Sequence, residues 1–550
     1  MKLTRSGLYQ LFVREDKTTW STVVAAAVLA GLFQGLVVLL INQIAANLLG
    51  GGLQLRALLL VVLTLLAYAL ASYYSTTKTV ALAEHAMFAK YLSIADKIRK
   101  TSTIGFEIIG KGRIYSTLQT NVDIIIESSK ILGNVCAGVV MIVFCGAYIA
   151  YISKMAFFIV LAFYMFGTFV YTTNLKNVQG VLRKGAALEA TFISMFRHFI
   201  EGFKELKVDT AKGDDLFENH MVTGTEEATE ARIETENKLA VNSVFVQAFY
   251  YGMVASTLIL LPQIGSLSTQ EIIKIAAVVL FSYGSMSRVV MSVPLILKAE
   301  AAIRTLDDLE TELFEAAEKD MPCPDTTLVS SDNLSIELKD ACFSYPSANG
   351  NGQFVLGPIN LPIKAGEIIF IVGGNGSGKT TLLKTLCGLY RPSEGELLVN
   401  NTPIVQTCYQ KYRNLFSVIF PDFCTFDRFY GKEINEDLIS ELLVKMGLEK
   451  ITSLKDGAFT NLKLSAGQRK RLAILCVHAE ASPWLVMDEV AADLDPEFKK
   501  FFYETYLGEL QAAGKTIIAV SHDEKYFHVA DRVVTCEDGR IISDVLRDTK

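Results

Sequence analysis

The sequence predicts a chain of two parts, an α-helical membrane domain with six spans followed by an α/β domain with a phosphate-binding loop. Long apolar runs are confined to the first 300 of the 550 residues, and short β-rich runs alternate with helical stretches from Leu334 onward. Hydrophobic residues make up 51% of the chain and charged residues 20%, which is less polar surface than a soluble chain needs. The net charge of −6 gives no electrostatic support for nucleic-acid binding, so no nucleic-acid partner is expected.

Six apolar runs reach, with their flanks, the roughly 20 residues that a helix needs to cross a bilayer. We predict spans at about residues 20–46, 55–78, 130–152, 154–173, 242–262 and 270–297. Short loops join the two spans of each pair, whereas the connections at about 79–129 and 174–240 are long, polar and basic. Since basic residues favour the cytoplasmic side, both termini are predicted to be cytoplasmic.

Two of these segments allow another interpretation. The first apolar run could be the core of a signal peptide, but it is too long, and Glu15 and Asp16 interrupt its basic flank. The polar connections could be independent domains, but each continues the helical pattern of its neighbouring spans, which favours helices that extend into the cytoplasm. We therefore predict a membrane domain at 1–305 with cytoplasmic helical extensions, a linker at 306–332 and the α/β domain at 333–550.

The strongest motif is the stretch 373–380, which fits the phosphate-binding pattern G-x-x-x-x-G-K-[ST]. An apolar strand precedes it at 368–372 and a helical run follows at 381–389, the context that such a loop requires. Backbone N–H groups and the helix N-terminus would bind the phosphates. Lys379 is expected to reach the β- and γ-phosphates, and the Thr380 hydroxyl to bind Mg²⁺. A glycine-rich turn without a ligand is the alternative.

Two further strands end in residues suited to nucleotide chemistry. Residues 484–487 lead into Asp488, a predicted Mg²⁺ ligand, and Glu489, a predicted activator of the attacking water. Residues 516–520 lead into Ser521 and His522. A lone histidine is often structural, but here it follows a strand of the same sheet, which favours contact with the γ-phosphate.

The stretch Leu464-Ser465-Ala466-Gly467-Gln468, taken with the phosphate loop, resembles the signature of ABC transporter ATPases. The resemblance implies a type IV ABC exporter fold. It also implies that Ser465 and Gly467 complete the ATP site of a second copy, so a homodimer is expected, and that Tyr345 stacks on adenine. ATP and Mg²⁺ are the implied cofactors. The expected nucleotide-binding residues are Tyr345, Gly373, Asn375, Gly376, Ser377, Gly378, Lys379, Thr380, Thr381, Ser465, Gly467 and Gln468.

The chain departs from that family pattern at two positions. Ala466 replaces a glycine, which is a small change. Pro421 lies where the resemblance leads us to expect a glutamine that contacts Mg²⁺ and senses the membrane domain. This puts in question the usual coupling between the ATP site and the membrane domain. Asp422 is a candidate to replace the glutamine as a ligand of Mg²⁺.

Softer patterns narrow the resemblance to a subfamily. Together they are similar to the bacterial exporters of cyclic peptides and peptide siderophores, the group of the pyoverdine, syringomycin and lasso-microcin exporters. The resemblance implies a multi-pass protein of the bacterial inner membrane that exports such a peptide, or a peptide-siderophore precursor, from cytoplasm to periplasm. The patterns are the stretches 202–207, 357–360, 416–423, 461–465 and 521–527.

Other functions on the same scaffold stay open. They are a lipid flippase, a siderophore importer, and an ATP-gated channel or regulatory subunit. Residues 202–207 are a candidate coupling surface or else an ordinary solvated helix. Arg288 in the sixth span could pair with an acidic group of a substrate or snorkel to the interface.

Overall fold

The structure, a computed structural model, describes residues 7–48, 55–264, 267–318, 334–345 and 354–547. The chain forms two compact units. The first contains the residues up to Arg99 together with Ile109–Glu315, and the second contains Lys100–Ile108 together with the residues from Ala316 onward. The second unit therefore includes a short segment from within the helical part. Most of the predicted linker lies outside the described residues, as does the predicted loop between the first two spans.

The helical part consists of long helices joined by short connections. In chain order these are α1 (Gly7–Leu48), α2 (Leu55–Lys100), α3 (Thr103–Ile109), α4 (Lys111–Ile152), α5 (Lys154–Glu201), α6 (Phe203–Val208), α7 (Thr210–Asp215), a π-helical turn (Leu216–Val222), α8 (Thr223–Ile264) and α9 (Thr269–Glu315). Within the described residues, six helical segments are long and apolar enough to cross a membrane, which confirms the predicted number of apolar helices. The long connections at about 79–129 and 174–240 are largely helical, and the predicted boundary at 305–306 falls inside α9.

Packing in the first unit joins helices that are distant in sequence. Helix α4 packs against α9 and α1, and α5 packs against α8. Helix α1 approaches α4 closely at Gly31, where an added Cβ would lie 2.4 Å from the carbonyl oxygen of Ala137. Small residues permit such close approach between membrane helices. By contrast, the apolar side chains of α2 from Leu58 to Leu70 are largely exposed, as expected of a helix surrounded by lipid.

An ion-pair cluster joins the polar ends of α2 and α9. The Glu310 carboxylate accepts hydrogen bonds from Lys90 and from Ser93 (2.5 Å), and it lies 2.8 Å from the Lys97 ammonium. Lys90 also contacts Asp307 at 2.7 Å. The side chains of Lys90 and Glu310 are each 15% exposed, so these charges depend on one another rather than on water.

Replacing Glu310 by alanine is expected to destabilise the first unit by about 1–3 kcal/mol, because the two lysines would lose the acceptor of their charged hydrogen bonds. A lower midpoint of thermal unfolding of the purified protein in detergent would show this. Asp308→Ala, which removes an exposed carboxylate two residues away, is the matched control and should leave the midpoint near that of the wild type. Equal midpoints for the two variants would contradict the prediction.

The second unit contains all the described strands. They are β1 (Ile336–Ser344), β2 (Val355–Ile363), β3 (Ile368–Val372), β4 (Glu394–Val399), β5 (Thr402–Pro403), β6 (Phe416–Ile419), β7 (Leu454–Lys455), β8 (Ala458–Phe459), β9 (Trp484–Asp488), β10 (Thr516–Val520), β11 (Arg532–Glu537) and β12 (Arg540–Leu546). The α-helices are α10 (Lys379–Leu386), α11 (Tyr409–Arg413), α12 (Glu436–Lys445), α13 (Ala466–Ala479), α14 (Pro496–Phe501) and α15 (Leu507–Ala512). The α/β class predicted from residue 334 onward is confirmed.

The strands form a six-stranded sheet in the order β12-β11-β3-β10-β9-β6, a four-stranded antiparallel sheet in the order β2-β1-β4-β5, and the β7-β8 hairpin. From β11 to β6 the larger sheet is parallel. Strands β3, β9 and β10 are apolar and buried almost throughout, the pattern of parallel strands covered on both faces. In this register Val520 pairs with both Asp488 and Ile371. The loops after β3, β9 and β10 therefore leave the sheet at one edge.

Candidate functional site

The phosphate-binding loop connects β3 to α10 with a backbone that side chains would obstruct. Gly373 has φ of 149°, and an added Cβ there would lie 2.2 Å from the carbonyl oxygen of Cys536. Gly376 and Gly378 also have positive φ, which glycine adopts at no steric cost. The Lys379 ammonium donates to the carbonyl oxygens of Gly373 and Gly374 at 3.0 and 2.9 Å. The loop is thus curled around its own lysine at the N-terminus of α10.

Thr380 and Asp488 join the phosphate loop to the end of β9. The Thr380 hydroxyl donates to Asp488 Oδ2 at 2.7 Å, and Asp488 is 2% exposed. Burial raises the pKa of Asp488 above its ordinary value. Among the described residues, Asp488 Oδ1 and Ser377 Oγ are buried without a hydrogen-bond partner. Buried polar atoms are normally paired, so both oxygens mark a place for a polar ligand.

Glu489 and His522 meet at the same edge of the sheet. His522 Nε2 lies 3.1 Å from Glu489 Oε1, and both side chains are partly exposed, at 47% and 40%. Glu489 has a positive φ of 52°, an uncommon conformation that turns the chain sharply as it leaves β9. The residue before His522 is also fixed, since the Tyr503 and Ser521 hydroxyls form a hydrogen bond of 2.8 Å. The structure thus brings together the two residues predicted to be catalytic.

The predicted signature residues form the start of α13. Ser465 is the N-cap, and it exchanges hydrogen bonds with Gln468 in a capping box. The Ser465 N–H donates to Gln468 Oε1 at 2.9 Å, and the Gln468 N–H donates to Ser465 Oγ at 3.3 Å. An added Cβ at Gly467 would lie 3.2 Å from the carbonyl oxygen of Asp493, so this turn is packed against the loop that follows Glu489.

Comparisons with known proteins agree with this site. A family model described as "ABC transporter" matches residues 356–492. The ATP-binding protein SyrD of Pseudomonas syringae pv. syringae is 32% identical over 421 residues, which cover 72% of this chain and 72% of that protein. The chain belongs to the ABC transporter family.

Two further comparisons concern the fold and the ATPase part. A bacterial Atm1-family ABC exporter, determined with ATP bound, superposes with a TM-score of 0.74 at 17% identity and covers 95% of each chain. The ATP-dependent lipid A-core flippase of Alkalilimnicola ehrlichii is 32% identical over 221 residues, 38% of this chain and 37% of that protein. The architecture is therefore that of an ABC exporter, in which ATP hydrolysis drives transport across a membrane.

ATP and Mg²⁺ fit the residues of this ABC ATPase. Thr380 and Asp488 present hydroxyl and carboxylate oxygens, the ligands that Mg²⁺ prefers, and Asp488 Oδ1 has no hydrogen-bond partner among the described residues. A bound cation would also stabilise the buried charge of Asp488. Bound Mg²⁺ would neutralise phosphate charge, while the protein would position the nucleotide. Lys379 would exchange its loop carbonyls for phosphate oxygens, and the role of Glu489 as acceptor of a proton from water stays a prediction.

Tyr345, the expected adenine-stacking residue, borders the same site. Its hydroxyl lies 3.1 Å from Thr381 Oγ1, next to Thr380 at the start of α10. Its ring packs edge-on against Tyr390, with centroids 5.7 Å apart. Sequence reasoning overlooked Tyr390, because a single tyrosine after a helix has no motif around it.

Asp422, the candidate substitute ligand, follows β6. Strand β6 pairs in parallel with β9, and Ile419 is level with Met487. Residues after Ile419 therefore leave the sheet at the edge where Asp488 lies. A turn closed by the Phe423 N–H and the Phe420 carbonyl (3.1 Å) contains the exposed Pro421 and Asp422. Metal ligation by Asp422 stays a prediction.

Arg288 lies on α9 in the first unit, where its guanidinium donates to Ser285 Oγ at 3.0 Å and to Gln34 Oε1 at 3.4 Å. Gln34 also lines a mostly apolar cavity with Tyr68 and Phe281. Pairing of Arg288 with an acidic group of a substrate stays a prediction. Residues 202–207 also belong to the first unit. They include most of the short helix α6, whose first residue, Phe203, is exposed.

A lysine of α13 that belongs to none of the predicted motifs contacts the backbone of Glu489. Lys470 Nζ donates to the backbone carbonyl of Glu489 at 3.2 Å and lies 2.7 Å from Asp493 Oδ2. Its side chain is 12% exposed, and its charge lowers the pKa of Asp493. Because Glu489 holds an uncommon backbone conformation, this contact helps to fix the direction of its carboxylate.

The variant Lys470→Met keeps the aliphatic stem and removes the ammonium. We expect kcat for ATP hydrolysis to fall about tenfold or more with little change in KM for ATP, since misplacement of a catalytic group by a fraction of an ångström slows chemistry more than binding. Steady-state ATPase assays over a range of ATP concentrations measure both. Lys500→Met, which removes an exposed ammonium of α14, is the control. An unchanged kcat for Lys470→Met would refute the role.

Proposed function

We propose that this protein is a homodimeric half-transporter that exports a peptide, such as a cyclic peptide or a peptide-siderophore precursor, from the cytoplasm to the periplasm of a bacterium. The observation that carries the proposal is the similarity to SyrD over 72% of both chains. That span is longer than the ATPase part alone, so the relationship extends into the helical part. The subfamily patterns at 202–207 and 521–527, which are similar to those of peptide exporters, support the substrate class.

The proposed mechanism uses the residues that meet at one edge of the parallel sheet. ATP would be held by the phosphate loop and by Tyr345, and Glu489 would accept the proton of the attacking water while His522 contacts the γ-phosphate. The signature of the second copy would close over the phosphate, because the N-terminus of α13 offers backbone N–H groups and Ser465 to an anion. Closure and reopening of this pair would drive alternating access in the membrane helices, with both termini in the cytoplasm. Arg288 is the proposed contact for an acidic group of the substrate.

Export requires hydrolysis, and the variant Glu489→Gln tests this. Without the carboxylate base, hydrolysis should fall at least about 100-fold, while ATP binding persists because the phosphate loop is intact. Inside-out vesicles from cells expressing the variant should then accumulate no labelled cyclic peptide on ATP addition. Glu497→Gln, an exposed glutamate at the start of α14, should transport as the wild type does.

The direction and the substrate of that assay separate the alternatives. ATP-dependent release of peptide from inside-out vesicles would indicate import. Stimulation of ATPase activity by lipids and not by peptides, with asymmetric movement of a labelled lipid, would indicate a flippase. The relative from A. ehrlichii carries that name. Transport that continues in Glu489→Gln would refute an ATP-driven exporter.

The homodimer predicts complementation between two inactive variants. Lys379→Ala disables the phosphate loop, and Ser465→Arg disables the signature that serves the other copy. Each variant alone should hydrolyse no ATP, but a mixed dimer contains one site with both parts intact and should recover hydrolysis. Co-expression with two affinity tags, followed by tandem purification and ATPase assay, measures it. Failure of a stable mixed dimer to recover any activity would contradict the shared site.

A further inference from the structure

His522 has an exposed side chain, but the chain on both sides of it is fixed. Its imidazole is partly exposed and lies 3.1 Å from Glu489 Oε1, whereas Ser521 is buried. The Asp523 N–H donates to Ser521 Oγ at 3.1 Å, a local bond that closes a turn around residue 522. An exposed side chain in such a turn takes its direction from the backbone, so the groups that hold Ser521 and Asp523 also direct His522.

Tyr503 bonds both ends of this turn. Its hydroxyl donates to Asp523 Oδ2 at 3.2 Å and lies 2.8 Å from Ser521 Oγ. A carboxylate only accepts hydrogen bonds, so the single phenol proton points to Asp523 and the Ser521 hydroxyl donates to the Tyr503 oxygen. Tyr503 is buried, and burial raises its pKa, so the proton stays on the phenol. The three residues form a closed ring of three hydrogen bonds.

The Tyr503 ring is itself packed in place. It stacks on Tyr526 with centroids 4.5 Å apart and meets Phe370 of β3 edge-on at 5.8 Å. Tyr503 lies in a π-helical turn, Phe502–Tyr506, between α14 and α15. Such turns are rare and occur frequently at functional sites. The two aromatic contacts and the wider helical turn give the hydroxyl a defined position.

Lys499 adds a second contact from the same segment. Its ammonium lies 3.1 Å from Asp523 Oδ1, the oxygen that Tyr503 leaves unbound. Helix α14 carries Lys499 and begins at Pro496, soon after Glu489. This segment therefore connects the loop that carries Glu489 to the turn that carries His522.

We propose that Tyr503 is a positioning residue for ATP hydrolysis, which acts on His522 through Ser521 and Asp523. Its buried hydroxyl fixes the turn from which the imidazole would reach the γ-phosphate. Misplacement of a reacting group by about 1 Å can slow a reaction about 100-fold, so a loosened turn slows hydrolysis while the phosphate loop still binds ATP. The inference rests on the role of His522 in the proposed function and not on the identity of the transported substrate.

The variant Tyr503→Phe removes the hydroxyl and keeps both ring contacts. We expect kcat for ATP hydrolysis to fall about tenfold and KM for ATP to change less than about twofold. Steady-state assays of the full-length protein in lipid nanodiscs, below the unfolding midpoint of every variant, measure both. Tyr506→Phe is the matched control, because it removes a buried hydroxyl of the same π-helical turn that bonds His478 Nδ1 at 2.7 Å. It should keep the wild-type kcat.

A second background separates positioning of His522 from a general structural role. His522→Ala should hydrolyse ATP at least about tenfold more slowly than the wild type. Tyr503→Phe added to it should lower kcat no further, since both changes act through one imidazole. Ser521→Ala removes one oxygen of the same ring, so it should reproduce the kcat of Tyr503→Phe, and the two changes together should equal either alone.

Four results would overturn the proposal. They are a wild-type kcat in Tyr503→Phe, an equal fall of kcat in Tyr506→Phe, a tenfold effect of Tyr503→Phe that persists in the His522→Ala background, and a wild-type kcat in His522→Ala. The last result, together with hydrolysis lost in Glu489→Gln, would leave ATP-driven transport standing. Because no transported substrate enters these assays, a failure of peptide export in the vesicle assay would leave their outcome unaffected.

Discussion

The parallel register of β3, β9 and β10 is the constraint on which the site depends. It brings the phosphate loop, the Asp488–Glu489 pair and His522 to one edge of the sheet, although Thr380 and Asp488 are 108 positions apart and Glu489 and His522 are 33 positions apart. The hydrogen bond from Thr380 to Asp488 closes this arrangement at 2.7 Å. A buried carboxylate is costly unless its charge is matched, so the same register that assembles the site also creates its demand for a cation.

Much of this could be predicted from sequence, because the signals are local. Four consecutive apolar residues before Asp488, or a glycine loop between a strand and a helix, specify strand ends whatever the rest of the chain does. The signals for the six membrane spans are equally local, since the thickness of the bilayer sets the length of each apolar run. The Lys470 contact with Glu489 could not be predicted in this manner, because it depends on how α13 packs against the loop after β9.

The hydrogen bond from Tyr390 to Glu107 could not be predicted for a related physical reason. Glu107 and Tyr390 are 283 positions apart, and each is an ordinary residue in its own neighbourhood. A partial signal existed, because the break between α2 and α4 contains Gly105 and Gly110 between two long helices. Such a break predicts a turn but not its partner. The sequence left residues 202–207 open as a candidate coupling surface or an ordinary solvated helix, and those residues belong to the first unit.

Helix α10 connects the phosphate loop to the hydrogen bond between Lys384 and Glu107. It is eight residues long, with Lys379 at the phosphate end and Lys384 five residues later, a distance of about 7.5 Å along the axis at 1.5 Å per residue. Pro421 offers neither an N–H donor nor a polar side chain, and the loop after β6 therefore lacks the glutamine that the family resemblance leads one to expect there. The α10 route to Glu107 uses charged hydrogen bonds that do not pass through that loop.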